Sequence, residues 1–206
     1  METKLPALCG IATPIVFAAV LLVSGQLYPG YDHVNQYMSV LGARESPVSG
    51  LMNILGFSML GLLTIPFAYG LYSSLAKTQG AKVAFILLCA AGVSMVLVGL
   101  FPCDPLCTLS TPIGYLHTLV TISAVFSITL ATLVAGFAFW ENGWKAAAVF
   151  SFAICAALVL AGPAYLLGLS EAYKGLAQRL VMGLGLVWIE AVAIRLYFLK
   201  GLQRLS

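Results

Sequence analysis

Six long apolar runs, at about 5–28, 50–75, 82–101, 112–140, 145–168 and 176–199, alternate with short polar breaks along this chain. Each run has the length an α-helix needs to cross a hydrocarbon core of about 30 Å. Polarity does not alternate within the runs as it would in the strands of a membrane barrel, so the pattern predicts helices. The breaks carry turn chemistry: AKTQGAK turns at Gly80, FPCDPLCTLSTP holds three prolines, WENGW turns on Asn142-Gly143, and GLSEAYKG ends on Gly175. Short connections bring consecutive helices side by side and antiparallel. The expected architecture is an all-α integral membrane protein, an up-and-down bundle of six transmembrane helices forming one domain over 1–206.

The first connection is the exception, being long for a bundle. Its middle, HVNQYMSVLGA, sets Val34, Tyr37, Met38 and Leu41 at helical spacing on one side, with Asn35, Gln36 and Ser39 elsewhere. That predicts a short amphipathic helix lying in the interface and closing one end of the bundle.

Composition strengthens the membrane assignment. Hydrophobic residues make up 61% of the 206 residues and charged residues 8%, with a mean hydropathy of +1.02. Soluble domains carry about 45–50% apolar and about 25% charged residues, so this chain could not cover itself with polar surface in water. The net charge of +3 includes no basic patch suited to nucleic acid. The first run follows Lys4 but is too long for a secretory h-region of about 7–15 residues, and is expected to be a retained helix. With six spans, Lys4, Lys77, Lys82, Lys145, Arg195, Lys200 and Arg204 share one side, against Arg44, Lys174 and Arg179 on the other. Positive charge accumulates on the cytoplasmic side. The expectation is a multi-pass protein of the cell membrane with both termini cytoplasmic.

That orientation gathers the candidate chemistry outside. The first, third and fifth connections contain Asp32, His33, Asn35, Gln36, Ser39, Arg44, Glu45, Asp104, Glu171, Lys174 and Arg179, and His117 lies near the same end of the fourth run. His33, Asp104 and His117 together offer the donor types that hold zinc with a position left open for water. No HExxH or i, i+4 histidine pair supports that set, and the alternative is a loop histidine and a packing histidine. Ser39 would be a nucleophile if His33 or His117 reached it, although no G-x-S-x-G surrounds it. Asp104, His117, His33 and Ser39 are thus the candidate catalytic residues; Asp32, Asn35, Arg44, Arg179 and Glu190 are the candidate ligand-binding ones. Arg179 is expected to reach the interface or to pair with Glu171 or Asp104. Glu190, the one acid deep within a run, reads equally as a proton or cation site and as a protonated group bonded between helices. Cys103 and Cys107, spaced C-x3-C, would form a disulfide across the third connection outside the cytoplasm.

The segment Ser39-Val40-Leu41-Gly42 followed by Ser46-Pro47 and Gly56, together with Phe101-Pro102, Asp104 and His117, resembles the domain-of-unknown-function family 998 of small prokaryotic membrane proteins. It is similar, more distantly, to the eukaryotic FRAG, DRAM and Sfk group. The resemblance implies a helical membrane domain over nearly the whole chain. It also implies that Ser39, Gly42, Pro102, Asp104 and His117 are positions members tend to share, and it carries no reaction.

Three functions are open on this reading. The favoured one is a protein that binds or organises a membrane lipid or hydrophobic small molecule at its outer face. The second is a membrane-embedded lipid hydrolase or transferase, with zinc as its candidate metal, using Asp104, His117 and His33. The third is a proton-coupled transporter working through Glu190.

Overall fold

The computed structural model describes residues 4–166 and 171–202. Six helices run through it: α1 (Lys4–Leu27), α2 (Leu51–Ser74), α3 (Gln79–Leu100), α4 (Pro112–Glu141), α5 (Lys145–Leu166) and α6 (Lys174–Leu202). All six are long and apolar enough to cross a membrane, and no strand occurs among the described residues. Each helix packs on the next in sequence and α6 packs back on α1, so the bundle closes into a ring. Large side chains such as Ile15, Leu22, Phe126, Leu160 and Phe198 stand outward and exposed. A helix that is apolar all round is at home where one side meets protein and the other meets lipid.

The helix ends are set by local chemistry. Thr78 and Thr111 cap α3 and α4, each side-chain oxygen accepting a backbone N–H at 3.2 Å, and Pro112 follows at the first helical position. The α4–α5 turn is a Schellman closure. Gly143 takes φ +75°, Gly143 N donates to Trp140 O at 3.2 Å, and Trp144 N donates to Phe139 O at 2.8 Å. The hydrophobic contact that accompanies such a closure is present, with Phe139 and Trp144 stacked at 5.4 Å. Asn142 then reaches sideways, its Oδ1 accepting from Ala76 N at 2.8 Å, and ties the α4–α5 turn to the α2–α3 turn.

Two cores fill the ring. One, around Phe67, Leu88, Phe139, Leu158 and Trp188, lies toward those two turns; its buried indole is satisfied by Ser151 Oγ at 2.8 Å. The other, around Phe17, Met38, Leu41, Met52, Phe57 and Met95, lies under the first connection. The lysines beside the α2–α3 and α4–α5 turns sit over aromatic rings, Lys77 Nζ 4.0 Å from the Tyr72 centroid and Lys145 Nζ 3.7 Å from Trp140. Such pairs are typical anchors at a membrane–water boundary.

Two segments differ from the sequence expectation. The first connection forms a 3₁₀ helix, Met38–Gly42, and it does not lie on the interface: every one of its residues is buried. Val34, expected on the apolar side, is 42% exposed. Neighbouring helices make this burial possible by satisfying the ends of the short helix. Gln178 Oε1 accepts from Met38 N at 2.5 Å, and Asn53 Nδ2 donates to Gly42 O at 2.8 Å. The second difference is the start of α2, where Leu51–Ser58 is π-helical rather than α-helical. It includes Asn53, whose Oδ1 is buried with no partner among the described residues.

Candidate functional site

The first, third and fifth connections lie at one end of the ring, called here the polar face. The fifth is only partly described, and the Glu171 side chain lies outside the described residues.

Arg179, near the start of α6, does not pair with Asp104 as expected. It holds the first connection instead. Its guanidinium donates to Tyr31 Oη at 2.6 Å, Gln36 O at 3.1 Å, His33 Nδ1 at 3.1 Å and Gly175 O at 2.9 Å. The connection lies so close to α6 that a Cβ on Gly175 would stand 2.3 Å from Gln36 O and 2.8 Å from Val34 O. Leu176 N donates to Val34 O at 3.0 Å, so loop backbone satisfies one free N–H at the end of α6. His33 is thereby fixed as an acceptor at Nδ1, and burial, then the Arg179 charge, holds its pKa below the usual 6.5. Asp32 and Asn35 shape the same loop at its exposed side. Asp32 accepts from Val34 N at 2.8 Å, Asn35 N at 3.1 Å and Asn35 Nδ2 at 2.7 Å, and these bonds lower its pKa, that from Val34 most.

Asp104 is buried at 1% exposure. It accepts from Thr111 Oγ1 at 2.7 Å, Thr111 N at 2.8 Å and Ser110 N at 2.9 Å, so it orders the turn into α4. The Thr111 hydroxyl is the main cause of its lowered pKa, with the nearby Arg44 charge adding to it. Gly114 is required beneath it, since a Cβ there would come within 2.1 Å of Asp104 Oδ2. Cys103 and Cys107 are joined as a disulfide with Cα atoms 5.1 Å apart. The loop between them carries two left-handed residues, Leu106 (φ 54°) and Cys107 (φ 56°).

His117 is buried on α4, its Nδ1 2.7 Å from Phe101 O. A carbonyl only accepts, so Nδ1 carries the proton and Nε2 of the neutral ring is an acceptor. Ser39 Oγ takes a 3.3 Å hydrogen bond from Gln178 Nε2, and among the described residues no hydrogen bond joins it to either histidine. No three of His, Cys, Asp and Glu gather among the described residues where a metal ion could be held. The expected zinc set is not assembled: His33 is engaged by α6, Asp104 by the α4 cap and His117 by the end of α3. Glu190 is half-buried on α6 and lines neither of the cavities described next.

The feature that sequence reading did not reveal is a pair of adjoining cavities. The outer one, about 180 Å³, is lined by Tyr37, Ser39, His117, Thr118, Tyr165 and Gln178, with Cys107, Leu109 and Ile122 at its rim. The deeper one, about 70 Å³, lies among α2, α3, α4 and α6 and is lined by Leu60, Ala91, Met95, Ala124, Leu186 and similar apolar groups. Thr121, Tyr165 and Gln178 line both. Gln178 is the hinge of the arrangement. Besides Met38 N and Ser39 Oγ it binds Tyr165 Oη at 3.1 Å, so one buried amide joins the first connection, α5 and α6. Its signal in the sequence is that it is the one amide in the sixth apolar run.

The chain matches, over residues 11–195, the family described as protein of unknown function (DUF998). It belongs to that family. The match takes in all the residues that line the two cavities, so the DUF998 region and the candidate site coincide. No curated protein matches the chain, and no solved structure does.

Proposed function

We propose that this DUF998 protein binds a membrane lipid or lipid-like small molecule within its own bundle. The observation that carries the reading is the gradient along the joined cavities, from hydroxyl, amide and imidazole groups at the polar face to aliphatic side chains in the interior. Sites for small molecules combine an apolar body with a few converging polar groups. The hydrolase reading has less behind it, because Ser39 answers to Gln178 and Asp104 to the turn before α4. We further place the polar face outside the cytoplasm of the cell membrane. The distribution of lysine and arginine supports this, and so does a disulfide at that face, since disulfides persist in oxidising compartments.

The test is lipid analysis of the protein purified in mild detergent, beside the variant Thr121→Trp, which fills the junction of the cavities. Wild type should retain at least one lipid species enriched over its share of the membrane, and the variant should lose it. Equal retention by both proteins would overturn the proposal.

A further inference from the structure

Among the described residues, the lining of the joined cavities contains no Asp, Glu, Lys or Arg. The ionised groups closest in sequence to the site are already committed: Arg179 to Tyr31, His33 and loop carbonyls, and Asp104 to Ser110 and Thr111. An anionic or zwitterionic headgroup drawn into this space would lose water and meet no counter-charge in the described lining, since Lys174 Nζ lies outside it, 5.5 Å from the centroid of the Tyr37 ring, and that is a large cost for an ion.

The polar groups that remain suit an uncharged oxygen function. Ser39 Oγ and Tyr165 Oη each accept from Gln178 Nε2, and neither O–H has an acceptor among the described residues. Both hydroxyls are therefore donors with capacity to spare, and His117 supplies an acceptor at Nε2 in its neutral form. The threonines at the junction and below are satisfied by their own helices, Thr121 Oγ1 donating to His117 O and Thr64 Oγ1 to Leu60 O, both at 2.8 Å. Below the junction the described lining offers apolar contact and no polar group in need of a partner. At the other end Leu109 and Ile122, 49% and 42% exposed, bring the cavity to the lipid-facing surface along α4. Together the two spaces are smaller than the roughly 300 Å³ or more of a typical enclosed ligand site. They hold a headgroup and part of one chain, with the remainder left in the bilayer.

Resting on the lipid-binding reading above, we infer that the ligand is an uncharged single-chain amphiphile whose head is an alcohol or ester. Its head oxygen accepts from Ser39 and Tyr165, its hydroxyl donates to His117 Nε2, and it reaches the site sideways past Ile122.

Photolabelling decides this. The protein in nanodiscs is irradiated with monooleoylglycerol carrying a diazirine in its chain, and adducts are mapped to peptides. Label is expected on the α4 and α6 residues around the cavities. Unlabelled monooleoylglycerol or farnesol should compete at least about ten-fold better than oleate or lysophosphatidylglycerol, reflecting the cost of burying an unpaired charge. The two effective competitors separate an ester head from a simple alcohol. Equal competition by the anionic amphiphiles overturns the inference and leaves the lipid-binding reading standing. Adducts scattered over the outer surface, unchanged in Thr121→Trp and in the rim variant Ile122→Trp, overturn both.

Discussion

Replacing Gln178 with Leu tests whether one amide holds the polar end of the bundle together. The side chain is 6% exposed and makes three hydrogen bonds, accepting from Met38 N and donating to Ser39 Oγ and Tyr165 Oη. Leucine has similar bulk and makes none of them. The two hydroxyl partners lose a donor but can turn to other partners, so each bond is worth about 0.5–1 kcal/mol. Met38 N–H is different. It is a main-chain donor on a fully buried residue, and a stranded buried donor costs about 1–3 kcal/mol. Against this stands the favourable transfer of an apolar side chain, about 1–2 kcal/mol beyond the amide it replaces. Hydrogen bonds between membrane helices measure nearer 0.6 kcal/mol each, which gives about 2 kcal/mol for three by a separate route. Both routes point to a loss of about 2 kcal/mol. Reversible unfolding in mixed micelles, as a double-mutant cycle with Ser39→Ala, should return that loss and a coupling of about 0.5 kcal/mol or more between the two positions. Gln178→Leu within about 0.3 kcal/mol of wild type, or strict additivity with Ser39→Ala, would refute the reasoning.

Loop attachment should depend on pH. His33 accepts from Arg179, with Tyr31 edge-on at 5.0 Å and Asp32 next in the chain, and its folded pKa lies below 6.5. A depressed histidine pKa means that the unfolded chain binds the proton more readily. Its stabilising contribution is therefore full above pH 6.5 and is lost as pH falls through the folded value. Melting temperature between pH 7.5 and pH 5 should fall more steeply for wild type than for His33→Gln; parallel curves would rule the linkage out. The lowered carboxyl pKa values of Asp32 and Asp104 keep those groups outside this window. At the other end of the bundle, Gly143→Ala places a Cβ in the left-handed region and should cost about 1–2 kcal/mol. An unchanged unfolding midpoint for that variant would contradict the Schellman assignment.

The six helices were legible because a lipid-facing chain needs no amphipathic subtlety: length and greasiness carry the signal. The Asn142-Gly143 turn was legible for a related reason, since its closure uses only neighbours in sequence. The burial of Met38–Gly42 was not, because it depends on Gln178 and Asn53, partners from α6 and α2 that spacing cannot identify. The same limit shaped the reading of the site. A search for chemistry favours ionisable groups, yet Arg179 and Asp104 are engaged in ordering loops. The cavity is lined by uncharged Gln, Tyr, Ser and Thr, each unremarkable alone in the sequence. Ser39 and His117, read as catalytic candidates, do line that cavity, but as hydrogen-bonding groups without a shared bond.

The closing of the ring by α6 upon α1 fixes an order of assembly. Helices α1 to α5 can associate pairwise as they leave the ribosome, each against its predecessor. The cavity has no such early form, because Gln178, Val181, Met182, Gly185, Leu186 and Ile189 of its deeper lining belong to the last helix. Until that helix arrives, Met38 N–H has no acceptor and the first connection has nothing to fold against. The enclosed cavity is therefore a property of the bundle that includes α6, and a product that ends before Lys174 would insert in the membrane yet remain open to the lipid on one side.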